Sequence, residues 1–229
     1  MPSNESPTST PIAIPPRRER RKHARPGELL EAALHVFVDQ GFGAAKVEDI
    51  ASRAGVSKGT LFLYFASKEE LFKAVVRDTI VGQLSQFQAA VDTFEGPTPE
   101  LMRTMVHAWW LRSHANGSTG IAKLMLSEGK HFPELATFYR IEVTDPARDL
   151  IGRLLARGLA RGEFRAIDPT YGPYTLLSSM IFLALWHHAP GLSSPQDGPP
   201  SAQAYLDTLL DAYLGGVLVR DTQAIPIDN

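Results

Sequence analysis

KVEDIASRAGVSKGTLFLYFASKEELF, Lys46 to Phe72, carries two short helical patterns, a small-residue turn between them and a capped start to a third helix. Val47, Ile50 and Ala51 give one apolar face at helical spacing. Ala54 and Gly55 supply the turn, Val56 packs back, and Ser57 is placed to start the next helix. Leu61, Phe62 and Phe65 are expected on the core side, which leaves Lys58, Gly59, Thr60 and Tyr64 facing outward. This is the layout of a helix-turn-helix whose second helix can lie in a DNA major groove. Ser67 is a good N-cap and Glu70, three residues on, completes a capping box. It opens an amphipathic helix through Leu71, Phe72, Val75, Val76, Ile80 and Leu84, toward Phe94.

Upstream, Pro26 suits a first helical turn, and Leu29, Leu30, Ala33, Leu34, Phe37 and Val38 form one apolar stripe. Gly41 is expected to end that helix, with Phe42 folding back as a hydrophobic plug. Residues 1–24 have no periodicity. They combine a Pro/Ser/Thr-rich start with a basic run, Arg17 to Arg25, holding six basic residues against Glu19 alone, and are expected to form a disordered basic arm.

Downstream, Gly96-Pro97-Thr98-Pro99 breaks the chain before a helix from about Pro99 to His114. Asn116-Gly117 is a turn, and a further helix should end near His131 ahead of Pro133. Residues 133–161 are again helical, with an irregularity expected at Thr144-Asp145-Pro146. Two final helices, near 169–188 and 202–219, flank a Gly/Pro/Ser-rich loop at 189–201. No run alternates at the strand period, so the fold class is all-α. Residues 25–84 form a three-helix head and 85–221 a helical body, about nine helices in all.

The apolar fraction of 44% and charged fraction of 21% over 229 residues are those of a globular protein with room for a sizeable core. With no cysteine, disulfides and thiolate metal sites are excluded. The net charge of −2 conceals an asymmetry. Residues 1–80 carry 12 Lys/Arg against 10 Asp/Glu, and the remainder 11 against 15. Phosphate binding needs a local positive patch rather than a basic whole. The most apolar run, Thr175 to Trp186, is too short and too interrupted to cross a bilayer. The N-terminus lacks the basic-then-apolar order of a signal peptide, so a cytoplasmic location without membrane partners is expected.

From Ala51 to Leu71 the chain resembles the TetR family of bacterial transcriptional repressors. The resemblance rests on an Ile-Ala helix, Ala-Gly-Val-Ser, Lys-Gly-Thr-Leu, an aromatic run and Ser-Lys-Glu-Glu-Leu, and extends over roughly Arg25 to Leu84. Two later segments, SEGKHFPELATFYR (residues 127–140) and ARGLARGEF (residues 156–164), look like the ligand domain of the AcrR-like branch. The resemblance implies a DNA-binding head and a dimerising, ligand-binding body. Lys46, Ser57, Lys58, Gly59, Thr60, Leu63, Tyr64 and Lys68 are then the candidate DNA contacts. Lys58, Gly59 and Thr60 open the recognition helix, where side chains and exposed N–H groups meet bases or phosphates. Tyr64 lies one turn on, and Lys68 starts the next helix. Two positions depart from the family pattern. Phe62 stands where many relatives have an aromatic hydroxyl, and Lys46 stands near a common Thr. Lysine cannot accept an N-cap bond but can reach a phosphate.

A single short recognition helix covers too few base pairs for genomic specificity, so a homodimer on a palindromic double-stranded operator is the physical expectation. The last two helices carry more apolar residues than one buried stripe needs. Leu177, Met180, Ile181 and Ala184, with Leu206, Leu210 and Tyr213, are the candidate dimer interface. A pocket for a small apolar or aromatic effector is expected among the middle helices, from Met102, Met105, Val106, Trp109 and Trp110 together with Met125, Phe138 and Tyr139. Each of these could equally be core. His107, His114, His187 and His188 could add polar anchors. No cofactor or metal site is expected. Glu128, His131 and Glu134 could be imagined as an acid/base or metal site, but Pro133 breaks their helix, and no nucleophile or phosphate-loop motif points to an enzyme. The alternatives left open are a DNA-binding regulator without ligand control, an activator and, remotely, a helical enzyme.

Removal of residues 1–25 is expected to lower operator affinity and flatten its salt dependence, because fewer counterions are released on binding. Binding titrations across a salt series check this, and an unchanged slope would make the arm a bystander.

Overall fold

The computed structural model describes residues 26–188 and 201–218. The basic arm, the loop after residue 188 and the end expected for the last helix at Val219 lie outside them. Eleven α-helical segments are present, and two π turns weld two pairs of them end to end, giving nine continuous rods among the described residues. There is no strand among them, only an isolated bridge between Phe164 and Leu218.

The head comprises α1 (Pro26–Gln40), α2 (Val47–Arg53), α3 (Lys58–Tyr64) and the start of α4 (Lys68–Val76). Its core is closed by Phe37, Phe42 and Phe72, whose ring centroids lie 5.4–5.6 Å apart, two of the three contacts edge-on. Such contacts add a modest directional term to the area buried. Phe42 reaches this core because Gly41 adopts φ +83°, a left-handed conformation that costs an L-residue about 1–2 kcal/mol. Gly55 does the same at the α2–α3 turn, with φ +72°.

Ser57 caps α3 through Thr60 N–H at 3.0 Å, and Ser67 caps α4 through Glu70 N–H at 3.1 Å. The return half of the second capping box is replaced. The Glu70 carboxylate receives Lys73 Nζ at 2.8 Å instead. One further expectation is corrected: Phe62 is not on the core side but 41% exposed. In this seven-residue helix Leu61 alone is fully buried, and its neighbour turns outward.

α4 runs through a π turn (Arg77–Val81) into α5 (Gly82–Thr93). The break at Gly96-Pro97 is pinned by Arg157, which donates to the carbonyls of Phe94 and Gly96 at 2.7 and 2.9 Å. α6 (Thr98–Ala115) and α7 (Thr119–Glu128) follow, and α8 (Pro133–Tyr139) passes through a second π turn (Arg140–Thr144) into α9 (Asp145–Ala160). The expected irregularity is this second π turn. Pro146 has no N–H for the carbonyl four residues back, and its ring crowds that carbonyl, so the helix widens just before it. The two π turns face each other and are joined by Arg77 and Glu142, Nη2 to Oε1 at 2.7 Å.

α10 (Gly172–His187) packs on α7 and α9, and α11 (Ala202–Val217) packs on α6 and α10. These contacts correct the dimer candidates. Met180, Ala184, Leu206 and Leu210 are buried within the protomer, and the Tyr213 hydroxyl donates to the Gly172 carbonyl at 3.1 Å. The side left open presents Tyr174, Ser178 and Phe182 on α10, with Ala204, Thr208 and Ala212 on α11.

Gly41→Ala is expected to lower the free energy of unfolding by about 1–2 kcal/mol, since the new Cβ is held at positive φ. It would also meet the Glu128 carboxylate. Urea denaturation measures this, and an unchanged midpoint would contradict the account of the turn.

Candidate nucleic-acid interface and ligand cavity

The outer face of α3 is built around its cap. Ser57 Oγ accepts from Thr60 N–H, and the two hydroxyls lie 2.9 Å apart, so Thr60 is turned back toward the helix start. Lys58 stands beside it, its Nζ 2.6 Å from Glu48 Oε1 with both side chains more than half exposed. The hydrogen bond from Lys58 holds the Glu48 carboxyl below its ordinary pKa. An exposed pair of this kind is weak, so Lys58 can exchange Glu48 for a phosphate at little cost.

A Cβ at Gly59 would meet only Ser57 Oγ, at 3.8 Å, which leaves the backbone there open to close approach. Leu63 is 84% exposed and Tyr64 42%. With Phe62 they put three large apolar side chains on the outside of a single turn. Lys46 is exposed at the start of α2, where its side chain makes no cap bond. Six of the eight candidate contacts thus lie along or just before α3, and Lys46 sits at the adjoining helix start.

Lys68 departs from the expected set. Its Nζ donates to the carbonyls of Phe42, Gly43 and Ala45 at 2.8, 3.4 and 3.0 Å, and sits 4.5 Å from the centre of the Phe42 ring. All three ammonium donors are occupied, so Lys68 holds the α1–α2 loop. Residues 26–80 carry 6 Lys/Arg against 8 Asp/Glu, so the head has no net positive charge apart from the arm.

The same loop is gripped from the body. Glu128 Oε2 at the end of α7 accepts Gly43 N–H at 2.8 Å, and Phe132 meets Phe42 edge-on at 4.8 Å. This contact gives Glu128 a structural partner in the head. Sequence reasoning missed this clasp, because nothing local marks a contact between residues 85 positions apart.

A cavity of about 380 Å³ lies between α5, α6, α7, α9 and α10 and the second π turn. Of the pocket candidates, Met105, Val106, Trp109, Met125 and Tyr139 line it. Three others do not. Met102 is fully buried in the core, Trp110 stacks on His114 at 5.2 Å, and the Phe138 ring lies under Arg77 at 5.0 Å. Sequence reasoning did not find the contributions of α5 and α9, such as Phe87 and Leu154. Leu177, Met180, Ile181 and Ala184, expected at a dimer interface, form wall instead. The histidines are absent from the wall. His107 pairs with Asp207 at 3.1 Å on the surface, and His188 Nε2 meets Thr119 Oγ1 at 2.8 Å. Burial, then the charge of Lys123, lowers the His188 pKa below its ordinary 6.5.

Residues 29–75 match the family described as bacterial regulatory proteins, tetR family. The chain is 28% identical to the HTH-type transcriptional repressor KstR2 of Mycolicibacterium smegmatis, over 85% of this chain and 91% of that protein. It is 30% identical to the HTH-type transcriptional regulator YdeS of Bacillus subtilis, over 65% of this chain and 76% of that one. The solved structure of the ketosteroid transcriptional regulator KstR2 of Mycobacterium tuberculosis superposes with a TM-score of 0.66 at 25% identity, covering 89% of this chain and all of the other. No helix among the described residues is long and apolar enough to cross a membrane.

Two outcomes are expected from this geometry. Lys58→Ala and Tyr64→Ala should weaken DNA binding, each by about 3- to 30-fold, with the Lys58 variant reducing the salt slope by about one. Neither should change stability by more than about 0.5 kcal/mol. Unaltered affinity in both would remove α3 as the reading face. Separately, a lowered histidine pKa means that the unfolded chain binds the proton first. The contribution of His188 is therefore complete above pH 6.5 and declines as pH falls below it. His188→Gln should flatten thermal stability between pH 5 and 7, and an identical pH slope would contradict this.

Proposed function

Because this chain belongs to the tetR family of bacterial regulatory proteins, helix-turn-helix transcriptional regulators rather than enzymes, we propose that it is a cytoplasmic, homodimeric repressor. It binds a palindromic operator and leaves it when an apolar or aromatic small molecule fills the body cavity. The observation that carries the ligand half is the position of α7. Thr119, Ala122 and Met125 of that helix, with Ser118 just before it, line the cavity, while Glu128 at its end holds the loop that leads into α2. A helix that touches both places can bias both.

In the proposed cycle, α3 enters the major groove with Lys58, Gly59, Thr60, Leu63 and Tyr64 toward the DNA, supported by Ser57 and Lys46. The two heads of a dimer sit about one DNA turn apart. A ligand that wedges α7 from α5 and α10 moves the clasp and the α4–α5 rod, whose π turn contributes Ile80 to the cavity. Release follows only if the ligand favours the spacing that does not fit the operator, and a coupling of about 1–3 kcal/mol, 5- to 150-fold in affinity, is the usual scale. The similar protein KstR2 of Mycobacterium tuberculosis is a ketosteroid transcriptional regulator, which agrees with a carbon-rich effector here.

Dimerisation is assigned to the outer sides of α10 and α11. α10 is apolar on nearly every side, and Tyr174 and Phe182 are 40% and 46% exposed. Ala204, Thr208 and Ala212 give α11 a low profile that lets a symmetry mate approach.

The test is a binding titration on DNA from upstream of the protein's own gene, repeated with lipophilic drugs, acyl-CoAs and aromatic acids. Tight, saturable, sequence-specific binding weakened at least 5-fold by one compound is expected. Binding that no compound alters would sink the ligand switch. Glu128→Ala should cut the effect of an active compound on DNA affinity several-fold while leaving that compound's own affinity unchanged. Full retention of the effect would exclude the clasp as the coupling element.

A further inference from the structure

We propose that the cavity selects an uncharged hydrocarbon skeleton bearing a neutral acceptor oxygen, a ketone, ester or alcohol, which the hydroxyls of Ser118 and Tyr139 receive. The proposal rests on the ligand-released reading above and specifies the chemistry of its effector. Arg140 is the sole charged residue on the wall among the described residues, and its guanidinium is already paired with Asp145 at 2.6 Å on the exposed side. A carboxylate or ammonium drawn inside would lose its hydration and gain no free counter-charge.

The wall's other polar residues include Gln83, Ser113, Ser118, Thr119, Tyr139 and Thr144. Ser113 Oγ donates to Gln83 Oε1 at 3.2 Å, Gln83 Nε2 donates to the Ala108 carbonyl at 3.5 Å, and Thr119 is joined to His188. These are satisfied within the protein. Ser118 Oγ is buried and has no hydrogen-bond partner among the described residues. The Tyr139 phenol makes no hydrogen bond among them either, and burial pushes its pKa up to about 12, so it remains a neutral donor. Buried hydroxyls are rarely left unpaired, because each forfeits its bond to water. The buried, unpaired hydroxyl of Ser118 and the unpaired, half-buried phenol of Tyr139, both on the wall of one mostly apolar cavity, are explained by a ligand oxygen that accepts from them. A volume of about 380 Å³ falls in the range of small-molecule sites and takes a skeleton of about a dozen carbons or more.

The experiment uses the full chain and four probes of one length, namely 2-tridecanone, tridecane, tridecanoate and tridecylammonium. Binding is read by tryptophan fluorescence, since Trp109 lines the cavity. The ketone should bind at least about 10-fold tighter than the other three, a factor typical of one buried hydrogen bond. Tyr139→Phe and Ser118→Ala should each reduce the ketone's advantage several-fold and leave tridecane unchanged. The ligand-free Tyr139→Phe protein should melt no lower than wild type, because an unpaired hydroxyl contributes nothing to the empty fold. Equal or tighter binding of either ion overturns the proposal, as does a ketone affinity untouched in both variants, or no saturable binding of any probe. Operator affinity measured in parallel keeps the two ideas apart. A ketone that binds by these rules without loosening DNA supports the site and refutes release.

Discussion

Phe42 is held from three directions, and that grip sets the geometry of both halves of the molecule. Phe37 and Phe72 receive its ring inside the head, Phe132 meets it from the body, and the ammonium of Lys68 covers it. The backbone around it is fixed just as fully. Lys68 takes three carbonyls of the loop and Glu128 takes the Gly43 N–H. A loop of six residues thus belongs to two cores at once. Charge-assisted bonds to a partly buried loop are worth about 1.5–3 kcal/mol each, comparable to the coupling energies on which ligand-controlled proteins run.

The cavity and the proposed dimer face draw on the same helix. α10 gives one side to the core through Leu176 and Leu183, another to the cavity through Leu177 and Ile181, and a third to solvent through Tyr174 and Phe182. Its polarity is therefore nearly uniform around the axis, as expected for a helix with apolar neighbours on all sides. In the proposed dimer, a ligand that displaced α10 would act on the spacing of two protomers as well as on α7, so both proposed routes from cavity to DNA begin at one wall.

The head was legible in the sequence because its determinants are local. Caps at Ser57 and Ser67, glycines at Gly41 and Gly55 and the stripe from Leu29 to Phe37 act within a turn or two of themselves. Phe62 was misplaced for the same reason: in a seven-residue helix, apolar identity cannot say whether a ring faces a core or a base pair. The pocket was legible only in part. Met105, Trp109 and Tyr139 have the size and shape of wall residues, but Met102 and Trp110 share those properties and sit elsewhere. Leu177, Met180, Ile181 and Ala184 of α10 read as dimer candidates because periodicity reports an apolar neighbour without naming it. The Glu128 clasp and the unpaired Ser118 hydroxyl left no trace, since both depend on tertiary contacts made far along the chain.

The central claim is that two α3 helices, set by this loop and paired through α10 and α11, read one face of DNA. A hydroxyl-radical footprint of the purified protein on DNA upstream of its own gene tests it most directly. The account predicts two protected patches on one face of the duplex, centred about 10 base pairs or a small multiple of that apart and related by two-fold symmetry. A single unpaired patch, or uniform protection without a preferred site, would contradict it.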